Sequence, residues 1–339
     1  MTSLSIFLYE WKHFVRSPFK VVALFLFVLA GVYGLHNGAS LYHEQLTELV
    51  RISQKVEEDR KEYIAYYDEG KAGPEDRPWV DFTTPFWAIW YSDIYHLKTP
   101  SPALVYSMGQ AEQYGFYKRV TFWASPYDAD MTQEIANPER LQIGALDFSF
   151  TLLFLSPLLL LIFLYNLKSM EAEQGFLSLI EVQTASNHSW LLSRVLFYVS
   201  IVFTVIVGLL RYGAMLTNLF ALASTAFGQM LFYSFLYLLF WAIVYYLLLR
   251  WSTTAIMGNT LKMAGFWLLF AFIIPAATLQ WISMKKPANL MLDVIDAKRD
   301  KSQEIFELPD SALQVRLFSL FPEIENSSVA QDSTKMGEA

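Results

Sequence analysis

The residues best suited to chemistry lie in one polar stretch, 168–194, which reads KSMEAEQGFLSLIEVQTASNHSWLLSR. Its candidate residues are two acids, a glycine, three apolar side chains and a closing base: Glu171, Glu173, Gly175, Phe176, Leu179, Ile180 and Arg194. Carboxylates can pair with basic residues of another protein, and an apolar helix face can fill a groove in it. The stretch is too short and too charged for a domain, so it predicts a loop that contacts a partner protein. The plainer alternative is an ordinary connecting loop with a surface-lying helix.

Sequence patterns for catalysis and cofactors are missing elsewhere. The chain has no GxxxxGK[ST] phosphate loop, no HExxH and no GxSxG, so we predict no ATPase activity of its own and no catalytic residue. The lack of cysteine excludes disulfides, thiolate metal sites and a cysteine nucleophile. His36 and His43 could share a helix face and bind a metal, but we favour no metal and no cofactor. A net charge of −7 argues against nucleic acid as a partner.

Composition indicates that these residues belong to a membrane protein, because 54% of the chain is hydrophobic and only 17% is charged. Five apolar segments are long enough to cross a bilayer. We therefore predict an all-α membrane protein, a polytopic transmembrane helix bundle. The predicted parts are an elbow helix (1–18), five spans (19–36, 146–167, 191–210, 227–249, 255–279), an extracytoplasmic domain (37–145), a coupling loop (168–190), short loops (211–226, 250–254) and a second extracytoplasmic segment with a disordered tail (280–339).

Basic residues fix the predicted orientation. Lys12, Arg16 and Lys20 precede or open the first span against one acid, Glu10, so the N-terminus should be cytoplasmic and the 168–190 loop should share that side. A cleavable signal peptide is the rival interpretation. The same segment, SLSIFLYEWKHFVRSP, has an apolar face opposite its charges and ends at Pro18. It predicts an amphipathic elbow at the membrane interface, or merely a topogenic basic segment.

The side opposite the elbow should carry a folded, mostly helical domain. Residues 37–68 have a heptad-like pattern that predicts a helix continuing out of the first span, and the chain after Gly70 is rich in Pro, Trp and Tyr. Those aromatics could bind a ligand, although contact with the bilayer or a partner subunit is the preferred use. Asp147 opens the second span, where it is either a helix cap or a functional intramembrane acid, and we favour the cap.

Several of these features together resemble membrane permeases of the ABC-2 type. They are the E-x-E-x-G order at Glu171, Glu173 and Gly175, Arg194 opening the next span, and the E-x5-R-S-P elbow that contains Glu10, Trp11, Arg16 and Pro18. The segments SPALVYSMGQAEQY, from Ser101, and NPERLQIGALDFSFTLLFLSPLLLLIFLYN, from Asn137, are similar to the subfamily with a large extracytoplasmic domain. Phe176 replaces the usual Thr of the family pattern, and the turn at 184–186 lacks its proline.

The resemblance implies a six-span permease of the bacterial inner membrane that pairs with a second copy or a related permease. A separate ATPase subunit would bind ATP and seat the 168–190 loop as a coupling helix, so that the complex acts as an exporter. The sixth span is not found, which we interpret as truncation or, less favoured, loss of the last helix. The apolar spans suit a lipid-like cargo better than a small ion. Two alternatives remain: a membrane-anchored binding or assembly protein that uses the aromatics between Trp79 and Trp123, and, with little support, an intramembrane hydrolase.

Overall fold

The computed structural model describes residues 3–74, 77, 79–91, 94–109, 111, 116–120, 146–183, 187–251, 255–285, 300–301 and 310–320. The predicted turn at 184–186, the aromatic segment 121–145 and the polar tail 321–339 lie outside these residues. The contacts divide the chain into two units, Met1–Pro275 and Ala276–Ala339. In the second unit the described residues include a helix at Asp310–Leu320, which we number α11 below.

Helices dominate the described chain. They are α1 (Ser3–Arg16), α2 (Pro18–Asp68), α3 (Pro85–Tyr91), α4 (148–164), α5 (Ser169–Glu173), α6 (Leu177–Gln183), α7 (Asn187–Leu216), α8 (Leu219–Leu222), α9 (Ser224–Arg250), α10 (Ile256–Lys285) and α11. Five of them, α2, α4, α7, α9 and α10, are long and apolar enough to cross a membrane. The predicted helix bundle and its count of five spans are therefore confirmed for the described residues.

The segments between the spans differ from the sequence-based prediction. Helix α7 extends to Leu216, so the predicted loop at 211–226 is largely helical. The apolar stretch continues there, and the fully buried Leu210 and Ala214 hold this extra turn in the core. Outside the spans, β1 (Ile94–Leu97) pairs antiparallel with β2 (Tyr117–Val120), so the predicted mostly helical domain includes a two-stranded ribbon.

Helix α2 is one continuous rod of 51 residues. Pro18 occupies its first turn, where a missing amide costs nothing, and Ser17 before it is extended. The rod confirms that the first apolar segment and residues 37–68 form one helix. Two glycines in the first half of the rod permit close packing: a Cβ on Gly34 would lie 2.6 Å from the backbone of Asp147, and one on Gly38 would lie 2.7 Å from the Val105 carbonyl oxygen.

Asp147 is a helix cap, as predicted. Its carboxylate accepts hydrogen bonds from the Phe150 amide at 2.8 Å and from the Met108 amide at 3.1 Å. Free amides at a helix start need such acceptors, and this one also ties the chain outside the spans to the start of α4. Tyr106 adds a second tie, because its hydroxyl donates to the Leu210 carbonyl of α7 at 2.7 Å.

Helices α4 and α10 share an unusual local geometry. Each contains a five-residue π-helical turn, Thr151–Leu155 and Leu269–Ile273, and each turn is followed two residues later by a proline, Pro157 or Pro275. Proline has no amide hydrogen and clashes with the carbonyl four residues before it, which the wider turn relieves. In α4 the carbonyl that Pro157 cannot satisfy is that of Leu153, and the Tyr237 hydroxyl of α9 donates to it at 2.6 Å.

We expect Tyr237→Phe to lower the free energy of unfolding by about 1–2 kcal/mol, because the Leu153 carbonyl would lose its donor in apolar surroundings. Chemical unfolding in detergent micelles would measure it. Pro157→Ala restores an amide, so the cost of Tyr237→Phe should shrink in that background. The exposed Tyr233 of the same helix provides the control, and equal losses for Tyr233→Phe and Tyr237→Phe would contradict the assignment.

Candidate functional site

The candidate site is the terminal segment, residues 163–173, where α4 ends and the chain enters the polar stretch. A helix C-terminus leaves carbonyls without intrahelical donors. Here three of its carbonyls accept side chains from three other helices: Phe163 from the Lys20 ammonium (2.9 Å), Tyr165 from the Asn259 amide (2.9 Å) and Leu167 from the Arg194 guanidinium (2.7 Å). The end of α4 is thereby fastened to α2, α10 and α7.

Arg194 is the centre of this arrangement. Its Nε lies 2.5 Å from Glu10 of helix α1, and its Nη1 pairs with Glu171 of α5. The guanidinium and Glu10 side chains are 5% and 1% exposed, so the pair is screened little by water. The same guanidinium lies over the Trp190 ring, 4.8 Å from its centroid. One side chain of α7 thus joins α1 to α5.

A second set of polar contacts completes the charge balance. Tyr198, one helical turn after Arg194, donates to Glu10 at 2.9 Å and accepts from the Lys20 ammonium at 3.1 Å. Two carboxylates and two cations therefore share the cluster. Burial, and then the nearby Lys20 charge, lowers the pKa of His13 below its usual value, which favours a neutral imidazole at pH 7. Such balance is what makes buried charge tolerable.

The next two charges of the segment bind the ends of neighbouring helices. Lys168 donates to the carbonyls of Leu249 and Arg250, at 3.4 and 3.2 Å, where α9 ends. Glu173 accepts from the Ile256 amide at 2.7 Å, where α10 begins. A cation at a helix C-terminus and an anion at an N-terminus each complement the helix dipole. The terminal segment of α4 therefore bonds to the four other span-long helices.

Gly175 turns the chain out of this cluster. Its φ of 76° is left-handed, and the turn closes with hydrogen bonds from the Phe176 amide to the Glu171 carbonyl (2.9 Å) and from the Gly175 amide to the Ala172 carbonyl (3.2 Å). These two bonds are the Schellman pattern, which ends α5 and needs a residue without a Cβ. The E-x-E-x-G order is thus two anchors followed by a turn.

Helix α6 follows the turn with an exposed apolar face. Phe176, Leu179 and Val182 are 53%, 55% and 86% exposed and recur every third residue. Ile180, which the sequence placed on the contact face, is half-buried, so its position there is taken by Val182. Large apolar side chains grouped on a polar protein end commonly mark a contact surface.

The remaining predicted residues lie apart from the cluster. Trp11 and Arg16 are on the exposed side of α1, and Pro18 begins α2. His43 places a ring nitrogen 3.1 Å from the Leu216 carbonyl oxygen, and among the described residues no three potential metal ligands form a group.

Four participants were missed by reasoning from the sequence: Lys20, Lys168, Tyr198 and Asn259. Only Tyr198 and Lys20 carried a usable signal. Tyr198 is spaced four residues from Arg194, and Lys20 is a lone cation at the start of an apolar helix.

No family model, no curated protein and no solved structure matches this chain. Its own residues are therefore the only guide to its function, and the terminal segment with the α6 face is the arrangement that most needs a functional explanation.

We expect Arg194→Gln to destabilise the protein by about 3–5 kcal/mol, because Glu10 and Glu171 would lose their paired cation and only Lys20 would remain to balance two carboxylates. Thermal or chemical unfolding in detergent measures this loss. Arg211→Gln, on an exposed position of the same helix, should change stability by no more than about 0.5 kcal/mol. Neutralising all three partners, with Glu10→Gln and Glu171→Gln added, should recover much of the loss. Equal stability of the Arg194→Gln and Arg211→Gln proteins would refute the central role of Arg194.

Proposed function

We propose that this chain is the membrane permease subunit of an ATP-driven transporter of the ABC-2 type, an exporter in the bacterial inner membrane. A separate ATPase subunit supplies the energy, because the sequence has no phosphate-binding loop. The observation that carries the proposal is a contrast: the terminal segment, 163–173, bonds to the four other long helices, whereas the α6 face that follows it is apolar and exposed. A partner that binds the exposed face could therefore displace several helices at once through the bonded terminal segment.

The proposed docking face consists of Phe176, Leu179 and Val182. In a groove of the ATPase these side chains would lose their water-exposed apolar surface, which is worth about 25 cal/mol per Å² buried. Glu171 and Glu173 are engaged within the chain, with Arg194 and the Ile256 amide. Their role in the proposal is therefore to fix the docking face to the bundle, and no longer to meet basic residues of the ATPase.

The proposed transmission follows the bonds of the terminal segment. Closure of the ATPase displaces α6, the turn at Gly175 passes the displacement to α5, and Glu171 passes it to Arg194 on α7 and onward to Glu10 on the elbow. Lys168 and Glu173 move the adjoining ends of α9 and α10 at the same time. Packed helices respond to such a shift as rigid bodies, which would change access between two paired permeases.

Spans with few ionisable groups suit a lipid-like or amphipathic cargo.

A membrane-anchored binding protein is the second candidate, because Trp79 and Phe86, outside the spans, are 63% and 59% exposed. Such aromatics are typical of binding surfaces. This candidate needs no ATPase, so the presence or absence of a stable ATPase complex distinguishes the two functions.

Replacing Phe176, Leu179 and Val182 together by alanine should reduce co-purification with the proposed P-loop ATPase subunit by at least about tenfold, since three apolar anchors are lost. Quantitative pull-down after co-expression measures it. The matched control replaces Phe232, Leu236 and Leu239, three exposed apolar residues of α9, and should leave the complex intact. Charge reversal at Glu171 is unsuitable as a test, because it would disturb the bundle whether or not an ATPase binds. Full retention of the ATPase by the α6 variant would overturn the docking assignment.

A further inference from the structure

The elbow helix α1 has three distinct faces. Ile6, Glu10 and Phe14 are buried, and the aromatic contacts of this side are to α4 and α7, with Phe14 on Phe163 and Phe7 on Phe197 at 5.5 and 5.4 Å between ring centroids. The buried side therefore belongs to the bundle. The other two faces are free of these contacts and point away from it.

The outer surface of α1 divides into an apolar strip and a basic strip. Leu8, Trp11 and Val15 are 61%, 51% and 57% exposed and follow the three- and four-residue spacing of one helix face. Beside them Lys12 and Arg16, also exposed, are four residues apart. Glu10 is the only acid of α1, and its carboxylate is taken inward by Arg194 and Tyr198. Pairing inside the bundle thus leaves the exposed charge of the helix entirely positive.

The apolar strip continues onto a surface that lipid must cover. Helix α2 begins two residues after α1 ends, and its first turns expose Phe19, Val22 and Leu26. A span-long helix turns such residues toward acyl chains. The strip on α1 is therefore in covalent continuity with a lipid-facing surface, at the level where the first span begins.

We propose that the outer face of α1 is a binding surface for anionic lipid headgroups. The strip of Leu8, Trp11 and Val15 enters the boundary between headgroups and acyl chains, and Lys12 and Arg16 bind the lipid phosphates beside it. An apolar strip edged by cations is the pattern of helices that lie in a membrane interface and prefer anionic lipid. The surface is separate from the α6 docking face and does not depend on an ATPase partner.

The test uses the full chain in dodecylmaltoside micelles and phosphatidylglycerol with an acyl-chain fluorophore, read by fluorescence anisotropy. Lys12→Gln with Arg16→Gln should weaken binding by about 30-fold, from about 1 kcal/mol for each cation at a membrane surface. The same pair exchanged, Lys12→Arg with Arg16→Lys, should retain binding. Lys55→Gln with Lys61→Gln removes two exposed cations from the distant part of α2 and should have no effect.

Three further arms make the result decisive. Labelled phosphatidylcholine should bind the unchanged protein much more weakly than phosphatidylglycerol, and added salt should reduce the difference. Leu8→Ala with Val15→Ala should also weaken phosphatidylglycerol binding, whereas inorganic phosphate at millimolar concentration should not compete. Equal affinity for the two lipids, no loss in the Lys12 and Arg16 variant, or full competition by phosphate would each overturn the proposal. Unfolding temperatures of all variants, expected to match the unchanged protein, exclude misfolding as the cause.

Discussion

The Arg194 guanidinium is the group on which one whole end of this bundle depends. A single cation satisfies a helix-end carbonyl, the elbow carboxylate and the carboxylate of α5 in a nearly dry setting. Removing water strengthens each contact and makes each missing contact costly. Helices α1, α5 and α7 are consequently coupled through one side chain. The same buried cation pairs with a carboxylate of α1 and a carboxylate of α5, so none of these helices can move far without breaking a contact to the others.

The surrounding polar residues follow the same physical rule. Helix ends carry unsatisfied backbone groups, and in a membrane protein such groups have few alternatives to an internal partner. Side chains from other parts of the sequence satisfy these groups. The donors to helix-end carbonyls are Lys20, Lys168 and Asn259, and Glu173 accepts from a helix-start amide. The polar stretch is therefore structural at its beginning, and its exposed apolar face starts after Gly175. The two parts of this region therefore differ: the first is bonded to the helix bundle, and the second presents its apolar side chains to the surroundings.

The sequence alone was sufficient for features that depend on local pattern. Apolar length predicted the five long helices, and the position of Asp147 before an apolar stretch predicted its cap. It failed where the partner is distant in the chain. Glu171 and Glu173 look like solvent-exposed acids, yet their partners are 23 and 83 residues away. The sequence also predicted that Ile180 and Leu179 share the contact face, whereas Ile180 is half-buried. Apolar spacing defines the apolar side of a helix but does not show which of its residues pack against the rest of the protein.

The π-helical turns before Pro157 and Pro275 give the bundle an uneven stiffness. Each turn widens the backbone, and each proline omits one bond from the helical ladder, so a helix resists bending least at that point. The two turns belong to neighbouring helices at one level, where the Phe154 and Phe272 rings lie 5.1 Å apart between centroids. The most easily bent points of α4 and α10 thus lie side by side, at one level of the bundle. Because α4 ends in the terminal segment and α10 begins beside it, a load applied at that end bends both helices at the same depth.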